Sequence, residues 1–176
     1  MMKLTTLVVL VVLTFSCNTK NKEKPEVNNE GKRLIMNDST PKVTGIGGIF
    51  FRSKNPKVIR EWYGKNLGLA IDDFGSPFEF RNANNPEEIN YLRWSPHKEE
   101  SDYFEPSDKE FMINYRVQNI EGLVKKLNAN GVTIVDEIAE YEYGKFVHIM
   151  DLEGNKIELW EPRDSFLTQM GGETTK

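Results

Sequence analysis

The amino-acid sequence predicts an α+β fold made of two βαβββ modules, because the same order of segments occurs twice between residues 41 and 167. In each half an apolar strand leads to an asparagine that can cap an amphipathic helix, Asn55 in the first half and Asn119 in the second. Strand-like segments follow each helix. The halves also close alike, with YLRWSP at residues 91–96 matching IELWEP at residues 157–162.

The first module begins with a predicted strand at residues 44–52. Pro56 suits the first position of the following helix, and Gly68 suits its C-terminal end. One side of this helix is apolar and is formed by Val58, Ile59, Trp62 and Tyr63. Short strands are predicted at residues 78–81 and 90–94.

The second module begins with a predicted strand at residues 111–117. The helix that follows carries an apolar side formed by Ile120, Leu123, Val124 and Leu127, and it ends at Asn130 and Gly131. Three strands are predicted after the helix, at residues 132–137, 146–150 and 156–160.

A tight hairpin is predicted between the last two strands. A three-residue loop at residues 152–154, with Gly154 in the left-handed conformation, pairs Asp151 with Asn155. This register places four side chains on one face of the sheet in two facing pairs, His148 with Glu158 and Phe146 with Trp160.

Composition excludes several classes of protein. The 27 acidic residues outnumber the 23 basic ones and give a net charge of −4, so no global basic field is available to bind nucleic acid. One cysteine cannot form an internal disulfide, and two histidines do not supply the ligand clusters of a zinc finger.

The N-terminus predicts export. Lys3 precedes an apolar run of about a dozen residues, which is too short to span a membrane and suits a signal peptide at residues 1–16. The run ends at Cys17 and resembles a bacterial lipoprotein signal, in which the cysteine is lipidated, although Thr14 stands where an aliphatic residue is usual. A plain secretory signal and a buried apolar helix are the alternatives. Residues 17–40 are polar and predict a disordered tether, and residues 168–176 predict a flexible tail.

Three segments together carry a family resemblance: EWYGKNLGL at residues 61–69, FMINYRVQNIEGLVKKLNANGV at residues 111–132, and YGKFVHIMDLEGNKIELWEP at residues 143–162. They resemble the vicinal oxygen chelate superfamily, which includes glyoxalase I, bleomycin-resistance proteins and extradiol dioxygenases. The resemblance implies that the mixed sheet curls into a cup around a small ligand, often with a divalent metal at its floor.

The metal positions that the resemblance implies are poorly filled. Carried over one by one, they fall on Gly48, Leu92, Met112 and Glu158, and only Glu158 has a side chain that metals of this class bind well. A divalent metal is therefore possible as a cofactor but is not expected to have a complete site. A slip of one residue in the first module would change which side chains face the cup.

Strand alternation indicates which residues line the cup. Ile113, Tyr115 and Val117 form an apolar row that packs on the helices, so the other face carries Met112, Asn114 and Arg116. The remaining candidates for ligand contact are Phe50, Arg52, Trp94, Phe146 and Trp160. Glu158 and His148 are the catalytic candidates, as an acid/base pair, although a histidine on a sheet is more often hydrogen-bonded to a neighbouring acid for purely structural reasons.

Two functions fit these features. The first is a small-molecule-binding protein of the bacterial cell envelope, held to the membrane by lipid on Cys17 and working without a complete metal site. The alternative is a metal-dependent lyase, isomerase or dioxygenase that uses Glu158 and His148. The sequence leaves open whether the protein is an enzyme. A homodimer is expected, because members of the superfamily often pair modules between subunits.

Overall fold

The structure, a computed structural model, describes residues 38–83 and 85–176. The predicted signal peptide, the lipidation site Cys17 and most of the predicted tether lie outside the described residues. In the part of the chain that the structure describes, none of the helices has the length and apolar character needed to cross a membrane.

Each module begins with a strand and a helix. The first contains strand β1 (Lys42–Ser53), helix α1 (Pro56–Leu67) and strands β2 (Ser76–Arg81) and β3 (Ile89–Lys98). A short 3-10 helix at Asp102–Phe104 leads to the second, which contains β4 (Phe111–Gln118), α2 (Ile120–Ala129), β5 (Ala139–Tyr141), β6 (Gly144–Met150) and β7 (Lys156–Pro162). Helix α3 (Asp164–Met170) follows the second module.

The seven strands form one mixed sheet in the order β2-β3-β1-β4-β7-β6-β5. Within each module the first and last strands are parallel neighbours, β1 with β3 and β4 with β7. The two modules meet at the antiparallel pair of β1 and β4, in the middle of the sheet. This arrangement confirms the predicted α+β fold of two repeated modules.

Both helices begin at the predicted asparagines. The Asn55 side chain accepts a hydrogen bond from the backbone N–H of Val58 at 3.1 Å, and the Asn119 side chain accepts one from Gly122 at 3.0 Å. These bonds satisfy backbone donors that a helix N-terminus leaves unpaired. Gly68 ends α1 with a φ of 73°, in the left-handed region that favours glycine.

Within the described residues the first module has two strands after its helix, at the two places predicted, and so lacks the third strand of the βαβββ pattern. Asp72 gives the reason, because its Oδ1 accepts hydrogen bonds from the backbone N–H groups of Phe74 and Gly75, at 2.8 and 2.9 Å. A side chain that takes up neighbouring backbone donors favours a turn over a strand. The chain between α1 and β2 therefore turns where the second module has β5.

The main core lies between α2 and the second half of the sheet. Its buried residues come from α2 and three strands: Val117, Ile120, Leu123, Val147, Ile149 and Leu159. Successive residues of a strand point to opposite faces, so Asn114, His148 and Glu158 lie on the face away from α2. A second cluster of Phe50, Phe104 and Met112 is buried apart from the main core.

The C-terminal residues are placed differently from the flexible tail predicted for residues 168–176. Residues up to Met170 belong to α3, and Thr175 then joins β2. Backbone hydrogen bonds link Thr175 to Pro77 at 2.8 Å and to Glu79 at 3.0 Å, and the Thr175 hydroxyl accepts one from the Ala70 backbone at 2.8 Å. The segment therefore extends the edge of the sheet at β2.

Candidate ligand-binding cup

A cavity of about 500 Å³ opens on the face of the sheet away from α2, and we call it the cup. Its aromatic lining residues are Phe50, Tyr103, Tyr141, Tyr143, Phe146 and Trp160. Its polar lining residues are Arg93, Asn114, Asp136, Glu137, His148 and Glu158. Ala139 and Leu167 complete the lining. Cavities of this size suit small organic ligands.

Glu158, on β7, is the centre of the polar floor. Its side chain is 4% exposed and accepts three hydrogen bonds. The Tyr103 hydroxyl and His148 Nε2 both bind Oε1, the latter at 3.1 Å, and the Asn114 amide N–H binds Oε2. These donors stabilise the ionised carboxylate in a buried position, where an unpaired charge would be costly.

The hairpin between β6 and β7 places His148 beside Glu158. The pairs His148 with Glu158 and Phe146 with Trp160 form as predicted, and Gly154 adopts a φ of 77°. The backbone N–H of Asp151 donates to the carbonyl of Asn155 at 3.0 Å. The predicted register is therefore confirmed, while catalytic roles for His148 and Glu158 stay predictions.

His148 is held between two carboxylates. Asp136 accepts a hydrogen bond from the backbone N–H of His148 at 2.7 Å, and its Oδ2 lies 2.6 Å from Nδ1 of the ring. Burial alone lowers the pKa of His148, but hydrogen bonds and charges from Glu158 and Asp136 outweigh it, and the pKa is raised above its ordinary value. The imidazolium form satisfies both carboxylates, because it donates from both ring nitrogens.

Tyr103 reaches the floor from the 3-10 helix between the modules. Its ring stacks on His97 with centroids 5.2 Å apart, and its backbone carbonyl accepts a hydrogen bond from Lys156 Nζ at 2.8 Å. Burial and the nearby Glu158 charge raise the pKa of the Tyr103 hydroxyl. Tyr103 therefore remains a neutral donor to Glu158.

One side of the cup is an aromatic wall, which we define as Tyr141, Tyr143, Phe146 and Trp160. Phe146 stacks on Trp160 with centroids 5.8 Å apart and an angle of 9° between the rings. Tyr141 and Tyr143 stack at 5.3 Å and 5°, and both meet Phe146 edge to face. The indole N–H of Trp160 donates to the Tyr143 carbonyl at 3.2 Å, which fixes the wall to the loop before β6.

Six of the predicted contact and catalytic residues line the cup: Phe50, Asn114, Phe146, His148, Glu158 and Trp160. Met112 is fully buried in the cluster with Phe50 and Phe104. Arg52 donates to the backbone carbonyl of Glu99, and its guanidinium lies 4.8 Å from the Phe104 ring centre. Met112 and Arg52 therefore pack beneath and beside the cup, outside its lining.

Arg116, a predicted cup residue, is paired with an acidic side chain of the chain itself and does not line the cavity. The buried guanidinium forms an ion pair with Asp164 of α3 and donates to the Tyr91 carbonyl at 3.0 Å. Burial raises the pKa of Asp164, against the opposing effect of Arg116. Arg116 thus ties α3 to the sheet.

Trp94 lies on the face opposite the one predicted. Its ring packs against Tyr63 of α1 at 4.6 Å and against Phe51 at 5.3 Å, while the neighbouring Arg93 lines the cup. In the second module the parallel pairing of β4 with β7 places Asn114 beside Glu158. The corresponding pairing of β1 with β3 in the first module places Phe50 beside Ser95. The first-module counterpart of Glu158 is therefore Ser95, whereas sequence matching indicated Leu92.

The side chains do not fit the divalent metal that the resemblance implies. With this register the four corresponding positions hold Gly48, Ser95, Met112 and Glu158, which is one good ligand among four. Glu158 is already bound by three donors, and both ring nitrogens of His148 face carboxylates. Among the described residues, no group of three or more His, Cys, Asp or Glu is arranged to hold a metal ion.

Several cup residues were missed by the sequence interpretation. Tyr103, Tyr141 and Tyr143 lie in or beside loops, where alternation gives no orientation. Asp136 lies inside the strand predicted at residues 132–137, but this segment forms only an isolated bridge, between Ile134 and Ile149. Asp136 could have been identified as a candidate because it is an acidic residue near the end of a predicted strand, and its side chain faces His148.

The fold has been compared with known proteins. No protein-family model and no curated protein matches the chain. Methylmalonyl-CoA epimerase from Mycobacterium tuberculosis is similar, with a TM-score of 0.50 and 20% identity, covering 73% of this chain and 95% of the epimerase. Methylmalonyl-CoA epimerase from Streptomyces coelicolor, in complex with 2-nitronate-propionyl-CoA, has a TM-score of 0.51 and 15% identity, covering 69% of this chain and 99% of the epimerase.

A glyoxalase/bleomycin resistance protein/dioxygenase superfamily member from Vibrio splendidus has a TM-score of 0.41 and 14% identity, with 69% and 99% of the two chains covered. The two epimerase structures carry the comparison, and at their identities they establish the fold alone. The chain therefore has the vicinal oxygen chelate fold that its sequence resembles.

Proposed function

We propose that this protein binds a small organic molecule in its cup without a resident metal ion. The observation that carries the proposal is the state of Glu158, the one acidic residue at the positions that the family uses for metal. Both of its carboxylate oxygens already accept hydrogen bonds from the protein, so the floor is complete without a cation. The cup above this floor has the volume of a ligand site and a largely aromatic wall.

The hydrogen bonds also favour binding over proton transfer. Both carboxylate oxygens of Glu158 are already engaged by donors of the protein, so neither can reach a substrate proton without releasing one of them. The Streptomyces coelicolor epimerase, solved with 2-nitronate-propionyl-CoA, supports a ligand role for this fold. We therefore assign Glu158 and His148 to shaping and polarising the floor.

Metal titration tests the first half of the proposal. Calorimetry on the full-length protein with Zn²⁺, Ni²⁺, Mn²⁺ and Fe²⁺, repeated on Glu158→Gln, is expected to show no site that depends on Glu158. Micromolar or tighter binding that is lost in Glu158→Gln would refute the metal-free cup. It would support the alternative of a metal-dependent lyase, isomerase or dioxygenase.

A ligand screen tests the second half. Compounds that raise the melting temperature of the full-length protein are expected to lose this effect in Ala139→Trp, because Ala139 lines the cup and a larger side chain there fills it. The matched control is Ala129→Trp at the exposed end of α2, which should keep the effect. Stabilisation that both variants retain would place the ligand elsewhere.

We also propose that the protein is lipidated on Cys17 and held in the bacterial cell envelope. The support is the apolar run that ends at this cysteine and the polar stretch after it. Labelling cells with an alkyne fatty acid is expected to tag the wild-type protein and not Cys17→Ser. Equal labelling of the two would remove the anchor from the proposal.

A further inference from the structure

Acidic side chains outnumber basic ones in the lining of the cup. The lining of the cup includes three carboxylates, those of Asp136, Glu137 and Glu158. It also includes two cationic side chains, Arg93 and His148. Asp72, outside the lining, binds both η nitrogens of Arg93, one of them at 2.7 Å, and so neutralises it. Lys156, also outside the lining, is buried and interacts electrostatically with Asp136 and Glu158. Three carboxylates against the His148 imidazolium and the Lys156 ammonium leave an excess of one negative charge around the cup.

The carboxylates behind this excess extend from the buried floor of the cavity to its exposed side. Glu158 is buried at the floor, while Asp136 and Glu137 are exposed near the opening. Charges beside a low-dielectric wall interact more strongly than charges in bulk water. A ligand of opposite charge would therefore gain more here than at an ordinary surface.

The aromatic wall favours the same kind of ligand. Tyr141 and Tyr143 present two nearly parallel rings and remain 50% and 40% exposed. The face of an aromatic ring is its electron-rich part, and it attracts cations as well as other flat rings. One ring of the wall already makes a cation–π contact within the protein, because the Arg116 guanidinium lies 5.1 Å from the Trp160 ring centre.

We propose that the cup selects planar organic cations, such as protonated heteroaromatic amines. The inference rests on the proposed binding function and specifies its ligand class. A flat ring stacks on Tyr141 and Tyr143, and its positive charge lies near Glu137 and Asp136. An anion would meet these carboxylates, and both cationic side chains of the lining are already paired, Arg93 with Asp72 and His148 with Asp136 and Glu158.

Three acridines that share one ring system test the charge preference. At pH 7.5, 9-aminoacridine is a cation, acridine is neutral and acridine-9-carboxylate is an anion. Fluorescence titration of the full-length protein is expected to give 9-aminoacridine a Kd about tenfold lower than that of acridine. The carboxylate is expected to bind more weakly than either.

Paired acidic variants locate the effect. Glu137→Gln is expected to weaken 9-aminoacridine binding about threefold and to leave acridine binding unchanged, because it removes one charge at the cup opening. Glu142→Gln is the control, since Glu142 is exposed on the nearby turn and outside the lining. It should change neither Kd.

The proposal is overturned if acridine or its carboxylate binds as tightly as the cation, if Glu137→Gln and Glu142→Gln act alike, or if none of the three binds. Each result would still leave the binding function standing. That function fails only if the broader thermal screen finds no compound whose stabilisation Ala139→Trp removes.

Discussion

Tyr103 offers a direct test of the floor, because Tyr103→Phe removes one hydroxyl and keeps the ring. That hydroxyl donates to Glu158, whose side chain is 4% exposed. The ring contacts with His97 at 5.2 Å and with His148 at 5.6 Å are preserved in the phenylalanine variant. The change therefore isolates one of three hydrogen bonds to a buried carboxylate.

The expected cost is about 1.5–3 kcal/mol in the free energy of unfolding, the usual range for a hydrogen bond to a charged group. No cavity penalty is added, because the hydroxyl leaves little volume behind. Asn114 and His148 still bind Glu158, so complete loss of the fold is not expected.

Urea unfolding of the full-length protein at pH 7, followed by tryptophan fluorescence, measures the change. Tyr141→Phe is the matched control, because Tyr141 is half exposed, and it should shift the free energy by less than about 0.5 kcal/mol. If Tyr103→Phe costs no more than this control, the hydroxyl does not stabilise Glu158, and the reasoning about a self-sufficient floor is wrong.

Three further predictions concern stability, each measured by urea unfolding. The pKa of folded His148 is raised above its ordinary value of 6.5, so its contribution to stability is complete below that pH and is lost as the pH rises through the folded pKa. The stability advantage over His148→Gln should therefore shrink as the pH is raised above that ordinary value, and a constant advantage would contradict this. Gly47→Ala should lower the free energy of unfolding by about 1–3 kcal/mol, because a Cβ there would overlap Asn114 Oδ1 and lie 2.8 Å from Trp160. Gly45→Ala is the control and should change it little, because the nearest atom to its Cβ is 3.8 Å away. Equal costs for the two variants would refute the packing argument. Deleting residues 171–176 should lower the free energy of unfolding by about 2 kcal/mol, because the hydrogen bonds of Thr175 are lost. Deleting Lys176 alone should lower it by almost nothing. Similar values for both deletions would show that Thr175 does not stabilise the edge of the sheet.

Features determined by neighbouring residues could be predicted from the sequence. The two capping asparagines and the hairpin at Gly154 depend on chemistry within a few residues, and all three form as expected. The hairpin then fixes the pairing of His148 with Glu158, since register follows from the turn. Together with strand alternation, which placed Asn114 on the cup face, this made all three strand residues of the polar floor predictable without a structure.

Features that depend on distant packing could not be predicted. Register shifts occur in β1 between Val43 and Gly45 and between Ile46 and Gly48, and bulges of this kind alter which residues become neighbours across a sheet. Matching the two halves by their Trp-x-Pro endings aligned Glu158 with Leu92 instead of Ser95, and this odd shift of three residues placed Trp94 on the wrong face. Tyr103 and Asp136 come from irregular segments, whose orientation is set by tertiary contacts alone.

The two modules have diverged in what they contribute to the cup. The second supplies Asn114, His148 and Glu158, the polar floor, whereas the first supplies Phe50, which packs with Met112 and Phe104. Helix α3 contacts the first module through Tyr91 with Thr168 at 3.1 Å, and it is bound to β4 of the second module by the pair of Arg116 with Asp164.

A symmetric metal site needs ligands from both modules, and here one module has apolar packing and a C-terminal helix in their place. The Tyr103 hydroxyl, the Asn114 amide and the His148 ring stabilise the charge of Glu158, as a metal ion would in a complete site. Restoring a metal would therefore require more than Gly48→His and Ser95→His, because these three donors would have to release Glu158 as well. We expect that double variant to bind Zn²⁺ more weakly than the same variant with Tyr103→Phe added, and calorimetry that found equal affinities would argue against competition between the donors and a metal.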